Sequence, residues 1–198
     1  MDIQKMKQQL LDLETTFKEQ EDALTELDRA IGDGDHGVNM LRGFESLKDK
    51  LDDSTMQSVF KSTGMCLMSN IGGASGPLYG FSFVKMAEVV KDDIDHNNLV
   101  ELLETFTEAI AKRGKVELNE KTMYDVVARA NEAVKKGEQV DLNRLQSFAE
   151  ATVDMVATKG RASYFKEASK GYMDPGAQSI WLLYTSPSPR DKRQSRMP

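Results

Sequence analysis

Asp28, Asp33 and Asp35 fall within eight residues of one stretch, Leu27-Asp28-Arg29-Ala30-Ile31-Gly32-Asp33-Gly34-Asp35-His36-Gly37. Three glycines punctuate it, so the backbone can fold tightly enough to gather the carboxylates. Unpaired carboxylates held close repel one another and raise each other's pKa, and a bound cation resolves that conflict. Oxygen donors without cysteine select a hard ion, Mg²⁺ or Ca²⁺. The stretch lacks the twelve-residue loop and closing glutamate of an EF-hand, whereas Mg²⁺ takes a few carboxylates and completes its octahedron with substrate phosphates. The plainer reading is a solvated Asp/Gly turn capping the next helix. Three aspartates among three glycines weigh toward the ion.

A second stretch, Ile71-Gly72-Gly73-Ala74-Ser75-Gly76-Pro77, leads into a helix expected over Leu78 to Val90. A glycine-rich turn feeding a helix start presents free N–H groups and the positive end of the helix dipole, which together form an anion site. Ser75 adds a hydroxyl. The G-K-[ST] ending of a P-loop is missing and no strand precedes the turn, so neither a Walker A nor a Rossmann motif is present. Many helix starts carry Gly and Ser; the weight of this one comes from the aspartate loop. An anion site beside a metal site is what a metal–nucleotide requires.

His36 admits three roles: a phosphohistidine, an N–H donor to a phosphate, or a structural histidine beside the carboxylates. The donor role needs the least additional machinery, because the neighbouring aspartates repel an incoming phosphoryl donor. His96, in Asp95-His96-Asn97, reads as surface. Asp174-Pro175-Gly176 has the form of a helix start, Asp at N-cap and Pro at N1. Arg161 is either a planar clamp for phosphate or ribose, or a surface residue in a loop.

The elements that must position these loops read as helices. Ile3, Met6, Leu10, Leu13 and Phe17 are spaced by three and four, one face of a helix. Met40, Phe44, Leu47 and Leu51 repeat the pattern. Ser54 with Gln57 reads as a capping box before Val59, Phe60 and Leu67, and Asn98 with Glu101 reads as a start before Leu102, Phe106 and Ile110. Further segments carry Val126, Val127, Ala130 and Val134, then Leu142 through Val156. Alternating β-branched runs are absent. The pattern gives about eight helices and no sheet.

The 198 residues suit one domain, and 29% are charged with a formal net charge of −6. That sign repels nucleic-acid phosphate and anionic lipid, so neither is an expected partner. Cys66 is the one cysteine, so no intrachain disulfide is available. No signal-peptide pattern and no apolar run of bilayer length is present, and the expected location is cytoplasmic. From Ile180 the sequence reads IWLLYTSPSPRDKRQSRMP, and its close is proline-broken, basic and unpatterned. Residues 181–198 are accordingly expected to be a disordered or non-native tail.

The loops together resemble the L subunits of bacterial phosphoenolpyruvate-dependent dihydroxyacetone kinases, ADP-binding domains also fused into ATP-dependent forms of that enzyme. The motifs are I-G-D-G-D-H-G from Ile31, G-G-A-S-G-P-L-Y-G from Gly72, K-R-G-K from Lys112, E-K-T-M from Glu120, T-K-G-R-A-S-Y from Thr158 and D-P-G from Asp174. The resemblance implies an all-α barrel of about eight antiparallel amphipathic helices over residues 1–180, with the nucleotide at one end. It implies two Mg²⁺ ions on Asp28, Asp33 and Asp35. It implies ADP or ATP against His36, Gly37, Asn39, Ala74 and Ser75, with Gly114, Met123, Arg161, Asp174, Pro175 and Gly176 around ribose and base. It further implies a phosphotransferase acting on an alcohol group. Bound ADP is phosphorylated by a phosphohistidine on a phosphotransferase-system M subunit, and the ATP formed phosphorylates dihydroxyacetone on a separate K subunit. A transcriptional regulator is a further partner of this kind of module. No Ser/His/Asp or Cys/His set is present, so no covalent protein nucleophile is expected. The same loops would serve a nucleotide module of an ATP-dependent kinase for another small hydroxylated or fatty-acid substrate, or a nucleotide-dependent regulatory module. The family's last helix continues as a long apolar segment after D-P-G, whereas here the pattern degenerates after Ser179.

Overall fold

The computed structural model of the protein describes residues 1–185, and among these there is no strand. Nine α-helices and one 3₁₀ segment follow in chain order: α1 (Ile3–Ile31), α2 (His36–Glu45), α3 (Leu47–Lys50), α4 (Met56–Asn70), α5 (Ser75–Met86), α6 (His96–Gly114), α7 (Met123–Lys135), α8 (Leu142–Glu150), the 3₁₀ segment Arg161–Ser169, and α9 (Pro175–Thr185). The expected count of about eight becomes nine because the segment after the aspartate loop breaks at Ser46, whose hydroxyl donates to the Gly43 carbonyl. No helix among the described residues is long and apolar enough to cross a membrane.

The apolar face of α1 extends well past Phe17, burying Leu10, Leu13, Phe17, Leu24 and Ile31. Phe17 stacks on Phe44 of α2 with ring centroids 4.6 Å apart. Each helix then packs on a successor around the core: α1 on α2, α2 on α4, α4 on α5, α5 on α6 and α6 on α7. The last helix, α9, lies against α7, α8 and α1, so the arrangement closes on itself. α4 and α5 meet backbone to backbone at Gly64 and Gly80, where a Cβ on either would lie 2.6 Å from the other's carbonyl oxygen. That contact needs two glycines.

Several helix ends differ from the sequence expectation. The cap of α4 is Thr55, which accepts from the Ser58 N–H, and not Ser54. The cap of α6 is Asp95, while Asn98 is buried and ties down the preceding loop through the Lys91 N–H and the Val89 carbonyl. Helix α5 starts at Ser75, earlier than Leu78, and stops at Met86. α8 ends at Glu150, after which the chain continues in turns. The boundary drawn at residue 180 falls inside α9, which runs to Thr185 and buries Leu182 in the core. The rest of the expected tail, 186–198, lies outside the described residues.

Candidate functional site

Asp28 sits in the last turn of α1 and reaches over the following loop to cap α2. Its Oδ2 accepts from the N–H groups of Asp35 at 2.9 Å and His36 at 3.1 Å. The loop can close this tightly because Gly32 presses on Asp28, where a Cβ would lie 2.0 Å from Oδ1, and because Gly34 adopts φ +74°. As a result, one carboxylate oxygen from each of Asp28, Asp33 and Asp35 falls within 4.8 Å of the others. Three hard oxygen donors so placed fit a divalent cation such as Mg²⁺. Asp33 is also ion-paired with Arg161 at 2.8 Å. The same guanidinium lies near Gly73, whose Cβ would be 3.5 Å from Nη1. Arg161 therefore spans the aspartate loop and the glycine-rich turn.

That turn abuts α2, the helix that follows the aspartate loop, since a Cβ on Gly72 would lie 2.6 Å from Asn39 Oδ1. Asn39 is held by Arg42, which donates to Oδ1 at 2.7 Å. Helix α5 begins after Ala74 with no side chain capping it. Its first-turn N–H groups consequently lack a side-chain acceptor, the condition under which a helix start receives an anion.

His36 is buried between these elements and Ser179 of α9. Its Nε2 lies 3.0 Å from Ser179 Oγ and its Nδ1 lies 3.4 Å from Ser75 Oγ. Ser179 donates its one proton to the Gly176 carbonyl, so its oxygen accepts from Tyr79, 2.7 Å away, and from His36 Nε2–H. Nδ1 is then an acceptor facing the Ser75 hydroxyl. Burial pushes the His36 pKa down from the usual 6.5, against the opposing pull of Asp28, Asp35 and the Pro175 carbonyl. The buried ring, held between Ser179, Ser75 and the Pro175 carbonyl, is a positioned element of the wall.

The far end of the site comes from α6, α7 and α9. Gly114 lies against Leu78 and Val116, and the Met123 methyl packs over Gly176, whose Cβ would be 3.3 Å from it. Asp174 caps α9 through the Ala177 N–H at 2.8 Å, the Asp–Pro–Gly start expected from sequence. Burial pushes its carboxyl up to about 7, tempered by the Ala177 N–H and Lys121 and reinforced by Asp125 and Asp28.

One cavity of about 460 Å³ joins these parts. It is lined by Asp28, Asp33, Asp35, His36, Asn39, Ala74, Ser75, Gly114, Met123, Arg161, Asp174, Pro175 and Gly176. Gly37 is the one candidate residue outside that lining. Its place is structural: a Cβ there would lie 2.1 Å from the Glu21 carbonyl oxygen, so Gly37 lets α2 pack on α1. The lining also includes Lys121, Arg113 and Lys159, which the sequence reading did not single out. Lys121 is buried against backbone carbonyls, a tertiary circumstance that its local sequence does not signal. The capping box beside it, Thr122 with Asp125, is a pattern that could have marked the start of α7.

A profile of the DAK2 domain matches residues 30–187. The chain belongs to the DAK2 domain family. Among curated relatives in the family, it is 42% identical over 179 residues to the "PEP-dependent dihydroxyacetone kinase 1, ADP-binding subunit DhaL" of Listeria innocua, covering 88% of this chain and 90% of that one. It is 37% identical over 182 residues to the corresponding DhaL subunit of Escherichia coli, covering 84% and 87% respectively. Of solved structures, the dihydroxyacetone kinase of C. freundii in complex with AMP-PNP and Mg²⁺ shares the fold with a TM-score of 0.70 at 22% identity. That alignment spans 91% of this chain and 33% of the other.

Proposed function

We propose that this DAK2 chain is the ADP-binding subunit of a phosphoenolpyruvate-dependent dihydroxyacetone kinase, working in the cytoplasm. Its bound ADP would be phosphorylated by a phosphohistidine on a phosphotransferase-system M subunit, and the ATP formed would phosphorylate dihydroxyacetone on a K subunit. The observation that carries the reading is that the three-aspartate cluster and the uncapped start of α5 open onto one cavity. A donor set for hard cations beside an anion-binding helix end suits a metal–nucleotide diphosphate. The relatives named above are ADP-binding subunits over nearly their whole length.

In this reading Asp28, Asp33 and Asp35 hold two Mg²⁺ ions. When bound, these would neutralise charge on the diphosphate oxygens. The N–H groups entering α5 at Ala74 and Ser75 receive phosphate oxygens, with His36 and Asn39 alongside. Arg161 offers its planar fork to phosphate or ribose. Gly114, Met123 and the Asp174-Pro175-Gly176 turn border the ribose and base. No side chain is required as a nucleophile, because the transfer needs positioning and charge neutralisation.

Retention of nucleotide tests this directly. Protein purified, desalted and then denatured should release ADP in near-equimolar amount, and it should support dihydroxyacetone phosphate formation when combined with K and M subunits and a phosphoenolpyruvate-driven donor chain. Protein that leaves desalting free of nucleotide, and that turns over only with added ATP, would instead assign it to an exchanging kinase.

A further inference from the structure

Lys121 is a buried cation that none of these roles uses. It is 1% exposed, and its φ of 60° lies in the left-handed region, uncommon for a residue with a Cβ. Its Nζ donates to the Thr152 carbonyl at 2.6 Å and to the Tyr172 carbonyl. A buried ammonium must be satisfied in this way, and here backbone carbonyls satisfy it. Lys121 makes no ion pair within 4.0 Å among the described residues, although Asp174 and Asp154 are near enough to oppose the lowering of its pKa by burial.

Both carbonyls belong to segments that set the position of Asp174. The hydroxyl of Thr152 accepts from the Asp174 N–H at 3.0 Å, and Tyr172 stands two residues before Asp174 in the chain. On its other side Lys121 immediately precedes Thr122, the cap of α7, and Met123, its first residue. Met123 in turn packs on Gly176. One ammonium therefore joins the backbone leading into α7 to the backbone leading into α9. Both border the cavity, and the second also reaches His36 through Ser179 and the Pro175 carbonyl.

We infer that Lys121 is a positioning residue for the nucleoside end of the site: it holds Met123 in register with Asp174-Pro175-Gly176 and touches no phosphate. The inference rests on the nucleotide reading of the cavity. Lys121→Met and Thr152→Val, compared with wild type, separate it from a general stabilising role. Calorimetric titration of protein first stripped of nucleotide and metal with EDTA, using Mg·ADP, Mg·pyrophosphate and Mn²⁺ alone, separates the nucleoside contribution from those of phosphate and metal. In Lys121→Met the dissociation constant for ADP should rise about tenfold, the scale of one charge-assisted hydrogen bond. Those for pyrophosphate and Mn²⁺ should stay within about twofold, an energy change smaller than that of one hydrogen bond. Thr152→Val, which removes the bond to the Asp174 N–H together with the local bond to the Ala149 carbonyl, should shift ADP in the same direction by less. Equal weakening of ADP and pyrophosphate, or unchanged ADP binding, would overturn the inference. If Lys121→Met fails to fold by circular dichroism, Thr152→Val decides alone, and an unchanged ADP constant there is the overturning result. Wild-type protein that binds Mn²⁺ but no ADP would instead sink the nucleotide reading, and this inference with it.

Discussion

Arg161 pairs with Asp33 at 2.8 Å across the mouth of the aspartate loop, so a cation of the protein itself engages one carboxylate of the cluster. A divalent ion bound as proposed would compete with Arg161 for Asp33, and releasing Arg161 would free its guanidinium for a phosphate or ribose oxygen.

Arg161→Gln should consequently have opposite effects on metal and nucleotide. Affinity for Mn²⁺ alone should rise slightly, because an exposed pair is worth only about 0.2–1 kcal/mol. Affinity for Mg·ADP should fall about tenfold or more, since hydrogen bonds to a charged group contribute about 1.5–3 kcal/mol. Parallel Mn²⁺ and ADP titrations check this; two shifts of the same sign would refute the competition.

Asp33→Asn should abolish phosphoryl transfer and leave the helical fold intact. The variant replaces a charged carboxylate ligand by a neutral amide, which weakens cation coordination, but also relieves carboxylate repulsion in the ligand-free protein. Far-ultraviolet circular dichroism and a coupled assay are the measurements. Full activity with retained ADP would remove Asp33 from the metal site.

Chelation with EDTA should release nucleotide and lower the melting temperature. A ligand bound only by the folded state stabilises it by about 4 kcal/mol at a thousandfold excess over its dissociation constant. A melting curve that does not move, from protein shown beforehand to contain nucleotide, would reduce the aspartate loop to a turn.

Phosphoryl label from the donor should leave the protein as ATP, with none on the polypeptide. Both nitrogens of His36 are engaged, Nε2 with Ser179 and Nδ1 with Ser75, and the ring is buried beside Asp28 and Asp35. Label stable on the polypeptide at high pH and lost in acid would establish a phosphohistidine, with His36 the residue to replace next.

Asp174→Asn should stabilise the ligand-free protein in a pH-dependent way. In the folded chain the Asp174 carboxyl titrates at about 7, above its ordinary value of 3.8. Between those values the folded state binds more protons than the unfolded one, so this group's contribution to stability falls as pH rises and is fully lost above about 7. Asparagine also caps a helix well and carries no such penalty. The variant should melt above wild type at about pH 8 and match it near pH 4; an advantage that is the same at both would exclude this carboxyl as the source.

The geometry of the aspartate loop was more legible in the sequence than the helix boundaries around it. Aspartates and glycines at short spacing announce a loop whose backbone must fold tightly, and that loop places all three carboxylates together. Helix starts were harder to locate, because neighbouring hydroxyl and carboxyl side chains compete for the same N–H groups. Thr55 wins over Ser54, and Asp95 over Asn98. Gly37, which the resemblance sets against the nucleotide, also has a packing reason in the Glu21 carbonyl of the preceding helix α1. Lys121 lies within the E-K-T-M motif, but its role had no local signal, since its partners Thr152 and Tyr172 lie thirty-one and fifty-one residues away.

Because α9 closes the ring against α1, the site is a seam between the two ends of the described chain. Asp28 and His36 emerge early from the ribosome, whereas Asp174, Gly176 and Ser179 emerge only after nearly every other helix has been made. A nascent chain carries its three-aspartate loop long before it has the α9 side of the cavity. The cavity is therefore completed only when α9 is in place, and a chain stopped short of residue 174 would lack both that wall and the core residues Ala177, Ile180 and Leu182.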